Sequence, residues 1–227
     1  MAPLTVHHLE NSRSQRVLWL LEELEVPYEL IRYERDPKTY RAPQKLRKLH
    51  PLGKSPVVTD GGEIVLAESG AIVEHLVEHH GQGRLRPEPG TEAHRRYRFW
   101  LHYAEGSLMP PLLIRFIFNR LKTAPLPFFL KPVIKGIVSK VDQNYTGPEI
   151  VRHVEFIEGE LGQHQWFAGD DFSAADVQMS FPLEALAVRG GLSRPHPKID
   201  AFLRRIHARP AYQKALERGG PYELGAG

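Results

Sequence analysis

Leu4, Val6 and His8 alternate with Thr5 and His7, so residues 3–8 read as a first strand. Val17, Leu20, Leu21 and Leu24 then recur at helical spacing, which predicts a helix that Pro27 ends. Residues 28–33 suit a strand lying parallel to the first, since a strand-helix-strand unit closes through a right-handed crossover. Residues 34–48 are polar and basic, and Pro37 and Pro43 break them into loop and a short helix. Residues 57–59 and 63–66 form a β-rich pair around Asp60-Gly61-Gly62, a hairpin signature. At Ser69 the period changes again. Ile72, Val73, Leu76 and Val77 predict a helix with Ser69 as its N-cap.

The order βαβ followed by ββα is the thioredoxin-like plan. Residues 81–90, dense in glycine and proline, read as a linker. Beyond it no strand pattern recurs. Tyr97, Trp100, Leu101 and Ala104 mark one helix, and Ile150, Val154, Ile157 and Leu161 another, with Pro110-Pro111, Pro125 to Pro127 and Gly147-Pro148 dividing the region between. Phe172-Ser173-x-x-Asp176 is a capping signature, with Ser173 as cap and Phe172 stapled to Val177. The expected fold class is α/β plus all-α: a thioredoxin-like N-terminal domain at residues 1–81 and an all-helical C-terminal domain at residues 92–222.

Composition narrows the chemistry. The chain has 227 residues, a formal charge of +3 and no cysteine. That charge is too small for a typical nucleic-acid module, so no nucleic-acid partner is expected. A thioredoxin-like domain without cysteine cannot use a thiol of its own, so any thiol arrives with a ligand. Lack of a basic region followed by an apolar core at the N-terminus points to a cytoplasmic protein.

Two features of residues 50–72 point to that ligand. Pro56 opens a strand, where it cannot donate to a ladder, and a cis Ser55-Pro56 bond would leave the Ser55 backbone free to pair with an extended peptide. Glu68-Ser69 stands at a helix N-terminus, which holds a carboxylate while Glu68 takes an ammonium group. Together they fit the zwitterionic end of an amino acid.

On Ser55-Pro56, Glu68-Ser69-x-Ala71-Ile72, the opening Asn11-Ser12-Arg13-Ser14-Gln15-Arg16-Val17 and Phe172-Ser173-x-x-Asp176, the sequence resembles the cytosolic glutathione transferases, of the serine or asparagine type of bacteria and fungi. The resemblance spans nearly the whole chain. It implies glutathione as co-substrate, no metal, a homodimer, and conjugation of the glutathione thiolate to a small hydrophobic electrophile in detoxification. Peroxidase activity would use the same thiolate. Ser55 beside Pro56 would pair with the cysteinyl backbone, and Glu68 and Ser69 would hold the γ-glutamyl end. His50 and Lys54 lie close enough to reach the glycine carboxylate. Ser12 is the first candidate for stabilising the thiolate, with Asn11 and Arg13 as rivals. A non-catalytic ligand- or protein-binding role on the same fold is the alternative.

Two stretches stand outside this assignment. His75-x-x-Glu78-His79 matches a zinc-hydrolase pattern, but both histidines are expected on a solvated flank with no third ligand, and the match reads as accidental. Residues 108–141 carry Arg115, Arg120, Lys122, Lys131, Lys135 and Lys140 among many apolar residues and no acid. The preferred reading is a wall of the apolar substrate cleft, with Tyr103, Ser107 and Arg115 lining it. A dimer contact or a membrane-surface patch are the others.

Overall fold

The structure, a computed structural model, describes residues 3–36, 39, 41–125, 127–189, 195–220 and 222–224. Its first half is β1 (Thr5–Leu9), α1 (Ser14–Glu23), β2 (Glu29–Tyr33), α2 (Gln44–Leu49), β3 (Val57–Asp60), β4 (Ile64–Ala67) and α3 (Ser69–His80). The strands form one sheet in the order β2-β1-β3-β4. β1 and β2 are parallel with Val6 opposite Leu30, and β3 runs antiparallel to β1 with Val58 opposite Val6. This is the thioredoxin-like arrangement the periodicity predicts.

The helix α1 is buried on more than its apolar stripe. Leu18, Trp19 and even Gln15, Arg16 and Glu22 are buried with it. The cause is a second layer: α1 packs on the sheet with one face and on helices of the C-terminal half with the others. The helix also stops before Pro27. Glu25 takes a left-handed backbone at φ 54°, and the Val26 and Glu25 N–H groups close on the Leu21 and Glu22 carbonyls, a Schellman ending.

The second half is helical: α4 (Glu92–Tyr103), α5 (Met109–Lys122), α6 (Lys131–Val141), α7 (Gly147–Gln163), α8 (Ala174–Arg189), α9 (Pro197–His207) and α10 (Pro210–Gly219). Only one of the three expected proline divisions breaks the path widely. Pro110-Pro111 and Gly147-Pro148 follow single π-turns, Ala104–Leu108 and Asp142–Thr146, and sit in the first turn of α5 and of α7. A proline there gives up an N–H that the first turn does not use, so helix follows helix almost without a gap.

α10 locks the two halves together. Arg209 pairs with Glu23 at 2.8 Å, and Lys214 and Arg218 pair with Glu22 at 2.7 and 2.9 Å. Trp19 meets Tyr212 edge-on at 5.2 Å.

Candidate glutathione site

At the open end of the sheet, the Ser55-Pro56 bond is cis. The β1–β3 ladder ends at His7 opposite Val57, and the Ser55 backbone has no partner among the described residues. The Ser55 hydroxyl is held from behind: it donates to the His7 carbonyl at 3.3 Å and accepts from the Leu9 N–H at 3.3 Å. The residue is thus fixed by its side chain while its main chain stays available.

The start of α3 corrects one expectation. Ser69 is the first helical residue, not the cap; Glu68 occupies the cap position at φ 69°, and no side chain caps the helix. A polar helix end without a protein cap offers its N–H groups to an anion. Ser69 is buried, its Oγ accepting from Gln178 Nε2 of α8 at 3.4 Å, whereas Glu68 is exposed. Positive φ also occurs at Asn11, at 48°, so both loops flanking the site hold a non-glycine residue in the left-handed region.

Between β1 and α1 the three thiolate candidates have different partners. Ser12 is buried. Its Oγ lies 2.7 Å from the Leu9 carbonyl, 2.8 Å from Ser14 Oγ and 3.4 Å from Ser55 Oγ. Asn11 Oδ1 accepts from the Glu223 N–H at 2.6 Å. Arg13 Nε donates to both Glu105 oxygens at 2.9 Å. Of the three, the structure brings only the Ser12 side chain against Ser55.

Behind Ser12 lies a row of groups the sequence reading passed over. Ser14 Oγ is 2.8 Å from His8 Nδ1. Burial, helped by the Arg32 charge, pushes the His8 pKa down to about 4, so the ring is neutral at pH 7. A neutral ring offers one donor and one acceptor, and the Ser14 hydroxyl sits between His8 Nδ1 and the Leu9 carbonyl, 3.2 Å away. Ser14 is thus engaged on the inner side, and Ser12 is the hydroxyl that also reaches Ser55.

Glu105, in the π-turn after α4, is the second group missed. It joins Arg13 and the wholly buried Arg16, and both guanidiniums lie over the Phe181 ring, at 4.8 and 5.3 Å. Burial alone would raise the Glu105 carboxyl, but the two guanidiniums hold it below the ordinary range. A signal existed in the sequence: Glu105 is the only acid between Glu92 and Asp142.

The remaining candidates divide. His50 is half-buried at the end of α2, and Lys54 is exposed beside Ser55, both on the cis-proline loop. Tyr103 and Ser107 line a cleft of about 850 Å³ with His94, Arg98, Phe99 and His102. That cleft draws no residue from positions 109–141 among the described residues. Glu105, two residues from each, sits about half a turn round the helix, so the cleft faces away from Arg13. Arg115 is elsewhere, paired with Asp142 at 3.0 Å. The expected apolar wall built from Tyr103, Ser107, Arg115 and the basic segment is not what these contacts form.

The histidine motif is corrected as well. His75 and His80, rather than His75 and His79, converge, at 2.9 and 2.7 Å from Asp60 Oδ2 at the end of β3. Burial would raise the Asp60 pKa, yet the two imidazole hydrogen bonds hold it below its ordinary value. The cluster ties the C-terminal end of α3 to the hairpin.

A thioredoxin-like sheet flanked by the unpaired Ser55 backbone and an open helix N-terminus, packed against an all-helical domain, is suited to hold an extended peptide with a terminal carboxylate. The comparisons agree. Residues 2–78 match the family Glutathione S-transferase, N-terminal domain, and residues 124–210 match Glutathione S-transferase, C-terminal domain. Glutathione S-transferase 3 of Schizosaccharomyces pombe is 38% identical over 95% of this chain and 87% of its own. Glutathione S-transferase 1 of Saccharomyces cerevisiae is 33% identical over 95% and 94%. The crystal structure of a glutathione S-transferase from Actinobacillus pleuropneumoniae superposes with a TM-score of 0.81 at 31% identity, covering 99% of this chain and 96% of that one. The chain belongs to the glutathione S-transferase family, and glutathione is its co-substrate.

Proposed function

We propose that this transferase conjugates the glutathione thiolate to small hydrophobic electrophiles and reduces organic peroxides with the same thiolate. The observation that carries the proposal is the juxtaposition of Ser12 Oγ with Ser55 Oγ at 3.4 Å, beside a Ser55 backbone with no partner among the described residues. A cysteinyl residue pairing with Ser55 would set its sulfur near Ser12. In this reading Glu68 takes the γ-glutamyl ammonium, Ser69 and the α3 N-terminus take the α-carboxylate, and Pro56 shapes the loop. Lys54 and His50 face the glycine carboxylate. Ser12 donates to sulfur, with Asn11 the rival donor, and Arg13 is held in place by Glu105.

In conjugation the sulfur lone pair forms the new S–C bond as the leaving group departs with the bonding pair, and the thiol proton is lost to solvent. With an organic hydroperoxide, the thiolate attacks the terminal oxygen to give a sulfenic acid while the alkoxide leaves and takes a proton, and a second glutathione thiol then displaces that oxygen as water to form the disulfide. Proximity and thiolate stabilisation supply the rate. The thiol pKa of about 8.5 must fall by about two units, which requires about 2.7 kcal/mol of preference for the anion. One hydroxyl hydrogen bond to an anion together with a helix dipole is of that size.

The reading extends to a homodimer, favoured by exposed Phe99, Phe156, Ile64 and Val65. Domain limits at residues 1–81 and 92–222, a cytoplasmic setting with its glutathione pool, and a detoxifying role complete it. Turnover of glutathione with an activated aryl chloride and with an organic hydroperoxide tests it. Glu68→Gln is expected to raise KM for glutathione about tenfold with kcat little changed, the mark of lost ground-state binding. Glutathione binding without turnover of either electrophile would favour the binding-protein alternative.

A further inference from the structure

The segment 109–141 folds into a helical hairpin, α5 and α6 joined across Pro125 and Pro127 and the short 3₁₀ turn Phe128–Leu130. Along α5, Leu113, Ile117 and Leu121 are exposed at intervals of four, which makes one apolar stripe. Val133 and Ile137 repeat the spacing on α6, and the only buried residue of α6 is Val138. At the tip Phe128 is 83% exposed and Phe129 63% exposed. Lys122, Lys131, Lys135 and Lys140 are exposed among them and make no ion pair among the described residues. Neither the core nor the glutathione site uses this surface.

We propose that the hairpin docks the protein on an anionic phospholipid bilayer, with Phe128 and Phe129 in the acyl boundary and the lysines on the phosphates. Charge complementarity selects this occupant. A symmetric contact with a second copy sets two patches of the same positive charge, without an acid between them, face to face. An anionic bilayer supplies hydrocarbon for the aromatic tip and opposite charge for its flanks. No helix among the described residues is long and apolar enough to cross a membrane, so the attachment is peripheral. Docking would bring the enzyme to where apolar electrophiles partition.

The test uses the whole protein with vesicles of phosphatidylcholine alone or mixed with phosphatidylserine. Trp19, Trp100 and Trp166 are all buried, so Phe128→Trp places an indole at the tip with little competing response. The expected result is binding at least about tenfold stronger to the anionic vesicles, weakening with added salt, with a blue shift of the new indole. Phe128→Ser with Phe129→Ser should abolish binding, and Lys122→Gln, Lys131→Gln and Lys135→Gln together should weaken it, all with unchanged thermal midpoints. Absent binding, or equal binding to both vesicles, overturns the proposal. So does a loss of mass by light scattering in the serine variant, which would assign the patch to a second copy.

Discussion

Ser12 has a single proton, and without ligand that proton faces the Leu9 carbonyl and Ser14 Oγ. Donation to sulfur needs only a rotation of the hydroxyl, while Ser12 Oγ keeps accepting the Ser14 N–H at 3.2 Å. His8 holds this arrangement by staying neutral. Its folded pKa of about 4 lies below the ordinary 6.5, so the unfolded chain binds the extra proton and stability falls as pH drops from 6.5 toward 4. Between pH 7 and 5 the loss assigned to His8 is about 2 kcal/mol. Urea unfolding of wild type and His8→Gln at both pH values should show the smaller loss in the variant. The comparison must be made against the variant, because Asp176, pushed up to about 6 by burial, acts in the opposite sense over nearly the same range. Equal losses in both proteins would show that His8 is not buried neutral. The sequence offers Asn11, Ser12 and Arg13 alike as donors in one loop, and what separates them is Glu223, Ser55 and Glu105, each remote along the chain.

Single elements were readable where local chemistry alone determines them. The βαβ-ββα order followed from period, and of the expected capping box the Asp176 half forms: its carboxylate accepts the Ser173 N–H at 2.8 Å and the Ser173 hydroxyl at 3.1 Å, while the Asp176 N–H goes to the Ser173 carbonyl at 3.0 Å. The carboxylate does more than the motif implies, accepting the Phe167 N–H at 2.8 Å and so fixing the preceding loop. Ser173→Ala should therefore cost about 1 kcal/mol. Asp176→Ala, which strands two buried backbone N–H groups and the Ser173 hydroxyl, should cost about 2–4 kcal/mol in urea unfolding. Similar costs for the two would mean that the Phe167 bond contributes nothing. Phe172 lies against Trp19 and Trp166 with the Arg209 guanidinium over it at 3.9 Å, partners that no local pattern names. The π-turns escaped for a related reason: prolines signal an interruption, but whether the chain bends or only widens by one residue depends on what it packs against.

Across the whole molecule, Glu105 joins the site loop to the helical half. Arg16 is buried to 1% of its side chain and depends on Glu105 and the Gln178 carbonyl, at 2.6 Å, for its partners. Removing the acid leaves a buried guanidinium without its counter-charge, so Glu105→Gln should destabilise the fold by about 3–5 kcal/mol. It should also loosen Arg13. An unfolding midpoint unchanged in that variant would show that solvent reaches Arg16. The exposed hairpin and the Glu105 clamp were the least legible parts, since both depend on which helix faces what.

The most direct test of the account is an ultraviolet titration of bound glutathione against pH, for wild type and Ser12→Ala. The chain has no cysteine, so any thiolate signal beyond the tyrosine background belongs to glutathione. The account predicts a thiol pKa about two units below 8.5 in the wild type, returning toward the free value in the variant. A low pKa unmoved by the substitution would pass the role to Asn11 or Arg13. Bound glutathione with an unshifted thiol in both proteins would contradict the proposed mechanism.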